Sequence, residues 1–276
     1  MSIAQGKFQV YAPPLAWADM GWLILDVMKD KASGAWFFGA FPGESDQEAG
    51  DRCSWNWAPN ASNTAEDRNW INGVPTFFPN YVLAQNGKPL VTRLPPWGAS
   101  GGALFSLACT TDSTIGLTSN DRALIAGDYN NSNGGGFGME FSDWANGRAR
   151  VIDFAVGAPN TPVTATIGTN PNDLSKWRLW YGATSTELVG KNLSGDGSTP
   201  NPGPMALSGG RREGQQAFAL FGRITTGANY TPTVTKKVSF VIRVDEVPSV
   251  NDLATLKAEC EVLAGEQGVT LLSVTP

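Results

Sequence analysis

No histidine occurs among the 276 residues of the sequence. Histidine is the usual general base near neutral pH and a common ligand of zinc and iron. Its absence excludes Ser-His-Asp and Cys-His hydrolysis, together with every metal site that needs an imidazole ligand. The sequence therefore favours a binding or structural protein over an enzyme.

Charge is also scarce, because Asp, Glu, Lys and Arg make up only 16% of the chain, against about 25% in typical soluble domains. The net charge of -5 argues against nucleic acid as a partner, since such proteins carry a basic stripe. The 32 glycines and 18 prolines predict many turns and few long helices. This composition is typical of a β-rich protein, or of one largely covered by neighbouring subunits.

Cysteine is rare, and Cys53, Cys109 and Cys260 are widely spaced without a C-x-x-C pair. This excludes a disulfide scaffold and a zinc ribbon, and predicts buried, unreactive thiols. The N-terminus lacks the basic start and apolar core of a signal peptide, and we find no stretch long enough for a transmembrane segment. We therefore expect no export signal and no membrane insertion.

Apolar residues alternate with polar or small ones over residues 103–109, 137–141 and 238–244, which predicts β-strands. In the last run, Val238, Phe240, Ile242 and Val244 are expected on one face. Trp177 and Trp180 lie in an aromatic strand and, being three apart, should face opposite sides. Asn146-Gly147 predicts a hairpin turn.

A single convincing helix lies near the C-terminus. Leu253, Leu256, Cys260 and Leu263 share one helical face, and residues 269–274 read as a final strand. The predicted fold is all-β: a jelly-roll β-sandwich with long irregular loops and one C-terminal helix followed by a strand. We divide the chain into three parts: residues 1–98 (strands and an irregular aromatic-rich region), 99–247 (the sandwich) and 248–276 (helix and strand). The alternative is that the whole chain forms one domain.

Residues 99–247 resemble a concanavalin A-like, laminin G-type jelly roll. The resemblance rests on the run from Gly136 to Phe141, the Asn146-Gly147 turn and the strand from Trp177 to Tyr181. It implies a lectin-like or glucanase-like fold. The sparse charge and abundant Gly, Asn and Thr also resemble bacteriophage virion proteins, which implies a location in a virion, with the cytoplasm as the alternative.

Aromatic residues supply the first candidate site, since four of the ten tryptophans fall in the irregular region between residues 42 and 100. Trp55 and Trp57 are two apart, so an extended chain places both on one face, beside Asn56. Trp70 and Trp97 lie in the same region. Three interpretations stay open: a small aromatic core, an interface anchor against another subunit, or a platform for stacking sugars.

Paired carboxylates supply the second candidate site. Glu44-Ser45-Asp46-Gln47-Glu48 matches the E-x-D-x-E spacing of lichenase-type glycoside hydrolases, which implies a nucleophile and an acid on one strand face. That family places the motif in a hydrophobic strand, whereas Pro42-Gly43 precede it here. We therefore predict a solvated acidic loop.

Oxygen-bearing side chains at alternate positions supply the third candidate. Asp128, Asn130 and Ser132 resemble the opening of a calcium loop, but Asn133 and Met139 stand where an EF-hand needs glycine and glutamate. An Asn-rich turn is the favoured interpretation and a calcium site the alternative. No other cofactor is expected.

The leading functional hypothesis is a non-enzymatic structural or adhesion protein of a larger assembly, such as a phage tail, fibre or capsid decoration, whose partners are other subunits. The alternative is a carbohydrate-binding, receptor-recognition module whose partners are glycans. A glycoside hydrolase that uses Glu44 and Glu48 is the third hypothesis.

Overall fold

A computed structural model describes residues 31–58, 61, 68–111, 122–129, 135–142, 148–168, 174–194, 201–222 and 233–266. In chain order the elements are β1 (Ala32–Phe37), α1 (Asp46–Cys53), β2 (Arg68–Trp70), β3 (Thr76–Phe78), β4 (Tyr81–Gln85), β5 (Leu90–Thr92), β6 (Gly102–Thr110), β7 (Ala123–Gly127), β8 (Gly138–Ser142), β9 (Arg148–Ala155), β10 (Ala158–Gly168), β11 (Arg178–Thr184), β12 (Glu187–Asn192), β13 (Met205–Ala206), β14 (Ala219–Leu220), β15 (Thr235–Val244) and α2 (Val250–Glu266).

The strands form two antiparallel sheets. The first has the order β13-β12-β11-β6-β15-β4-β3, with β1 also paired to β15, and the second has the order β10-β9-β8-β7-β14-β5-β2. Strands from before residue 98 pair with later strands in both sheets, because β1 and β4 pair with β15 while β5 pairs with β14. The predicted all-β sandwich is confirmed.

The main core lies between the two sheets and contains inward-facing side chains from both. Leu104 and Ala108 of β6 belong to it, as do Phe137, Met139 and Phe141 beside and within β8. The Phe141 and Trp180 rings meet edge to face at 5.6 Å across the sandwich. Because successive side chains of a strand alternate, Phe105 and Leu107 point to the opposite face of the first sheet.

A second apolar layer covers that outer face of the first sheet. Trp57, Ala58 and Leu256 pack there with Phe105 and Tyr181. Trp177 also packs on this layer while Trp180 lies in the main core, so the prediction that the two face opposite sides is confirmed. Both faces of this sheet are therefore buried at its centre.

The prediction that Val238, Phe240, Ile242 and Val244 lie on one face of β15 was wrong for Val238. Val238 lies in the main core, whereas Phe240, Ile242 and Val244 lie in the outer layer. The register against β6 shifts between Val238 and Phe240, which is a β-bulge. A bulge adds one residue to the strand and reverses the side to which the following side chains point.

Residues 42–100 hold more regular structure than the sequence indicated. They contain α1 and the strands β2 to β5, which are only three to five residues long. Strands this short leave no clear two-residue alternation of apolar and polar side chains in the sequence. The solvated acidic loop predicted at residues 44–48 was wrong, because Ser45 is the N-cap of α1 and forms a capping box with Glu48.

The predicted C-terminal helix is confirmed as α2, whose Leu253 and Leu256 pack on the outer layer. The expected strand at 269–274 and the Asn146-Gly147 turn lie outside the described residues. In the described part of the chain, no helix has the length and apolar character needed to cross a membrane.

Candidate functional site

An open cleft of about 610 Å³ lies beside α1. Its lining combines aromatic rings with ionised side chains: Phe41, Glu44, Glu48, Asp51, Arg52, Trp55 and Trp57. The cleft therefore brings together two of the predicted aromatic residues, Trp55 and Trp57, and two of the predicted carboxylates, Glu44 and Glu48, which sequence analysis treated as separate candidate sites.

The helix α1 positions the charged side of the cleft. Ser45 Oγ accepts from the Glu48 backbone N–H at 3.3 Å, and Glu48 Oε2 accepts from the Ser45 backbone N–H at 2.9 Å. Ala49 and Cys53 are buried, so the opposite side of the helix, with Glu48 and Asp51, is exposed. The backbone hydrogen bond from Ser45 lowers the pKa of Glu48, which keeps that carboxylate ionised at neutral pH.

Glu44 and Arg52 form a two-point ion pair at the base of the cleft. Arg52 Nε donates to Glu44 Oε1 at 2.9 Å, and Arg52 Nη2 donates to Glu44 Oε2 at 2.6 Å. Arg52 Nη2 also donates to the Gly39 carbonyl at 2.6 Å, and its guanidinium lies 3.9 Å from the Phe41 ring centroid. These contacts fix the guanidinium in one orientation.

Trp55 and Trp57 form the aromatic side of the cleft. Trp57 is only 7% exposed, and its backbone N–H donates to the Ala35 carbonyl at 2.8 Å. Trp55 is half-buried, and the Arg68 guanidinium lies 3.5 Å from the centroid of its ring. The stacked guanidinium helps hold the Trp55 indole in place, so the aromatic wall is ordered before any ligand arrives.

Asn56 lies between the two tryptophans but is turned into the protein. Its Oδ1 accepts from the backbone N–H groups of Ala35 at 2.9 Å and Ala58 at 3.1 Å, and its Nδ2 donates to the Ser33 carbonyl at 2.8 Å. Asn56 therefore fastens the Trp55–Trp57 segment to β1, and its amide is not directed at a ligand.

Trp70 and Trp97 do not line the cleft. Trp70 Nε1 donates to the Gly50 carbonyl of α1 at 3.0 Å, and its ring stacks on Phe221 at 6.0 Å, so it supports the helix from the core side. Trp97 is 2% exposed, and its Nε1 donates to Asp245 Oδ1 at 3.0 Å. Trp97 is therefore a core residue, and Trp70 is half-buried and packs against the core.

The three carboxylates of the E-x-D-x-E motif do not share a face, because the motif begins a helix instead of continuing a strand. Glu44 pairs with Arg52, Glu48 caps α1, and Asp46 Oδ1 accepts from the Phe77 backbone N–H at 2.7 Å. The strand geometry on which the glycosidase resemblance depends is absent from this part of the structure.

Asp128 of the predicted calcium loop is buried and already has partners. Its Oδ1 and Oδ2 accept from the backbone N–H groups of Phe137 at 2.6 Å and Trp97 at 3.0 Å, and the Arg211 guanidinium lies 3.4 Å away. Asn130 and Ser132 lie outside the described residues. Among the residues described, no group of three acidic or sulfur ligands could hold a metal.

Sequence reasoning missed Phe41, Asp51 and Arg52 as members of the site. The spacing of Glu48 and Asp51, three residues apart, is a helical signal that the strand interpretation of the motif concealed. Arg52 lies eight residues after Glu44, and only the fold of residues 39–52 brings the two together.

Comparison with solved structures shows the fold. The chain is similar to the ligand-binding domain of botulinum neurotoxin serotype D, solved with N-acetylneuraminic acid, at 11% identity and a TM-score of 0.51, over 86% of this chain and 52% of that one. It is similar to the receptor-binding domain of the C/D mosaic serotype at 10% identity and a TM-score of 0.51, over 83% and 51% of the two chains. A third neighbour, from a study of botulinum neurotoxin type C whose cell entry depends on two ganglioside molecules, has 6% identity and a TM-score of 0.53, over 85% and 52%.

At these identities the likeness concerns the fold alone, and the chain spans about half the length of the structures it matches. These neighbours agree with the predicted β-sandwich. No family model and no curated protein matches the sequence.

Proposed function

We propose that this protein is a carbohydrate-binding module and that the cleft beside α1 is its binding site. The observation that carries the proposal is that Trp55 and Phe41 line one open cleft together with the exposed carboxylates of Glu48 and Asp51. Sugars need this combination, because their C–H faces stack on aromatic rings while their hydroxyls donate to fixed oxygen acceptors.

The dimensions and rigidity of the cleft support the proposal. Its volume of about 610 Å³ lies within the roughly 300–1,000 Å³ of small-molecule sites. Arg68 stacks on Trp55, and Asn56 fastens the segment behind it, so binding orders few side chains. Two structural neighbours of similar fold are associated with glycans, one solved with N-acetylneuraminic acid and one from a toxin that depends on gangliosides for cell entry, and this supports the proposal.

We propose further that the cleft binds sugars without hydrolysing them. A retaining or inverting glycosidase needs one carboxyl of raised pKa as acid and a second as nucleophile or base. Here the pKa of Glu48 is lowered by its hydrogen bond from Ser45, and both oxygens of Glu44 are engaged by Arg52. Incubating the protein with β-glucan and finding reducing ends that disappear in Glu44→Gln would contradict this part of the proposal.

A glycan array followed by calorimetry tests the binding site. Trp55→Ala is expected to weaken the affinity for the best array glycan about tenfold, which corresponds to the loss of about 1.4 kcal/mol of stacking. Trp177→Ala is the matched control, because Trp177 is also half-buried but packs against Tyr81 away from the cleft. Equal affinities of Trp55→Ala and wild type, or an array without any bound glycan, would contradict the proposal.

We also propose, from the sparse charge, that the module is part of a larger assembly, with a bacteriophage virion as the case the composition favours. Light scattering after size-exclusion chromatography tests it: a monomer at all concentrations that joins no particle would contradict it.

A further inference from the structure

We propose that the cleft selects glycans that carry a free amine, such as glucosamine oligomers, over sialylated glycans of similar size. The inference rests on the proposed function and adds to it the charge of the sugar that is bound. Three features of the cleft lead to it: a guanidinium that is already paired, two exposed carboxylates on one helix face, and their shared surface with the aromatic wall.

Recognition of a sialic acid carboxylate would need a cation that can turn to the ligand. Arg52 is the cation among the described residues that line the cleft, and its side chain is only 12% exposed. Its Nε and Nη2 donate to Glu44 at 2.9 and 2.6 Å, while its face covers the Phe41 ring. Pairing with a sugar carboxylate would break this ion pair and leave the carboxylate of Glu44, itself mostly buried, without its partner.

Two carboxylates face the cleft from α1 with unused acceptor capacity. Glu48 and Asp51 are three residues apart, so they lie on the same side of the helix, with Cβ atoms about 5–6 Å apart. Protein hydrogen bonds within the described structure reach Glu48 at Oε2, from Ser45, and Asp51 at Oδ1, from Gln47. Glu48 Oε1 and Asp51 Oδ2 are therefore available to accept from a ligand.

The charges that line the cleft do not cancel. Among the residues that line the cleft, Arg52 compensates Glu44, and Glu48 and Asp51 add two further carboxylates; the single positive charge of Arg68, stacked on the Trp55 ring, does not balance both. An ammonium group on a stacked sugar ring gains from both, and a sugar carboxylate is repelled by both. Because these side chains are exposed, each ion pair is modest, about a threefold change in affinity, and is screened by salt.

Calorimetry with three soluble oligosaccharides tests the proposal at a pH of about 6, where the amines are protonated. The probes are glucosamine trimer, N-acetylglucosamine trimer and sialyllactose. We expect glucosamine trimer to bind about tenfold more tightly than its N-acetylated form, which corresponds to two exposed ion pairs, and sialyllactose to bind least. Raising the NaCl concentration from about 50 to about 500 mM should remove most of this difference.

Two variants assign the selectivity to the carboxylates. Glu48→Gln and Asp51→Asn each remove one negative charge and keep one side-chain oxygen acceptor, so each is expected to reduce the preference for glucosamine trimer over N-acetylglucosamine trimer about threefold. Glutamine keeps the capping box of α1, so the first variant should fold. Glu187→Gln, which removes an exposed carboxylate on β12, is the control and should change nothing.

The outcomes separate this inference from the proposed function. Equal binding of all three sugars that still requires Trp55 would overturn the charge selectivity and leave the carbohydrate site standing. Absence of binding for all three sugars and throughout the glycan array would overturn both. Ethylamine binding as tightly as glucosamine trimer would overturn the inference as well, since the site would then recognise a cation rather than an amino sugar.

Discussion

Replacing Arg211 with methionine is expected to destabilise the protein strongly, because this guanidinium is the shared partner of two buried carboxylates. Arg211 Nε donates to Asp153 Oδ2 at 2.8 Å, and Nη2 lies 3.4 Å from Asp128 Oδ2. The side chains of all three residues are fully buried. Arg211 Nη1 also donates to the Trp97 and Gly98 carbonyls, which joins the loop before β6 to this network.

The magnitude follows from the burial of the partners that remain. Removing one member of a buried ion pair costs about 3–5 kcal/mol, because the remaining charge loses its compensation without regaining water. In Arg211→Met two carboxylates lose their partner, so we expect a loss in the free energy of unfolding at the upper end of that range. Methionine keeps most of the apolar volume of the side chain, which separates the electrostatic cost from the cost of a cavity.

The destabilisation caused by Arg211→Met is expected to depend on pH. Burial raises the pKa of Asp153 to about 6, against the effect of Arg211, and also raises the pKa of Asp128. A raised pKa in the folded state means that the contribution of Asp153 to stability is full below about pH 4 and is lost as the pH rises through about 6. Without Arg211 both pKa values rise further, so the variant should be destabilised more at pH 8 than at pH 5.

Urea unfolding followed by tryptophan fluorescence at both pH values measures this difference. Arg212→Met is the control, since Arg212 makes its hydrogen bond to the Pro159 carbonyl in an exposed position at 3.2 Å, and it should cost about 0.5 kcal/mol or less. Equal midpoints for the two variants, or a larger destabilisation of Arg211→Met at pH 5, would refute the reasoning.

Three further predictions concern buried groups. Burial lowers the pKa of Lys236 well below its ordinary value, so the contribution of Lys236 to the free energy of unfolding should rise with pH up to about 10, where the unfolded lysine loses its proton. Lys236→Met should remove that contribution, so the difference in urea midpoint between variant and wild type should change with pH, and a difference that is the same at every pH would argue against it. Asn56→Ala should cost about 2–3 kcal/mol, because it removes the side-chain partner of two buried backbone N–H groups and of the part-buried Ser33 carbonyl, and should weaken glycan binding in calorimetry; full stability would contradict this. Burial raises the pKa of Cys53 to about 11 and of Cys109 to about 12, so peptide mapping should find neither thiol alkylated at pH 7.5 before urea is added; rapid alkylation of the native protein would count against their burial.

The strands of the sandwich could be predicted from the sequence where they are long and where residues of two kinds alternate along them. In β8 the alternation indicated the strand, and its large apolar side chains, Met139 and Phe141, lie in the main core. In β6 the alternation indicated the strand but not its inward face, because both of its faces are buried. The bulge between Val238 and Phe240 could not be predicted, because large apolar residues keep their spacing of two across the shift in register. The helix α1 was concealed because Glu44, Asp46 and Glu48 fit the alternation of a strand as well as the first turn of a helix.

The candidate site could be predicted only in part. The spacing of Trp55 and Trp57 indicated a shared face, and both tryptophans line the cleft. The contact of this segment with Glu44, Glu48 and Arg52 depends on how α1 packs beside residues 55–57. No short-range sequence pattern predicts that packing. Likewise, Asp128 looked like a calcium ligand because its partner Arg211 lies 83 residues further along the chain.

A titration monitored through the indole N–H resonances of the tryptophans tests the central claim most directly. Glucosamine trimer and N-acetylglucosamine trimer are added to the labelled protein, and resonances are assigned with Trp→Phe variants. If the cleft beside α1 is the sugar site, the resonances of Trp55 and Trp57 shift with saturation while those of the buried Trp97 and Trp180 stay in place. Shifts confined to Trp177, or an unchanged spectrum with both sugars, would contradict the account.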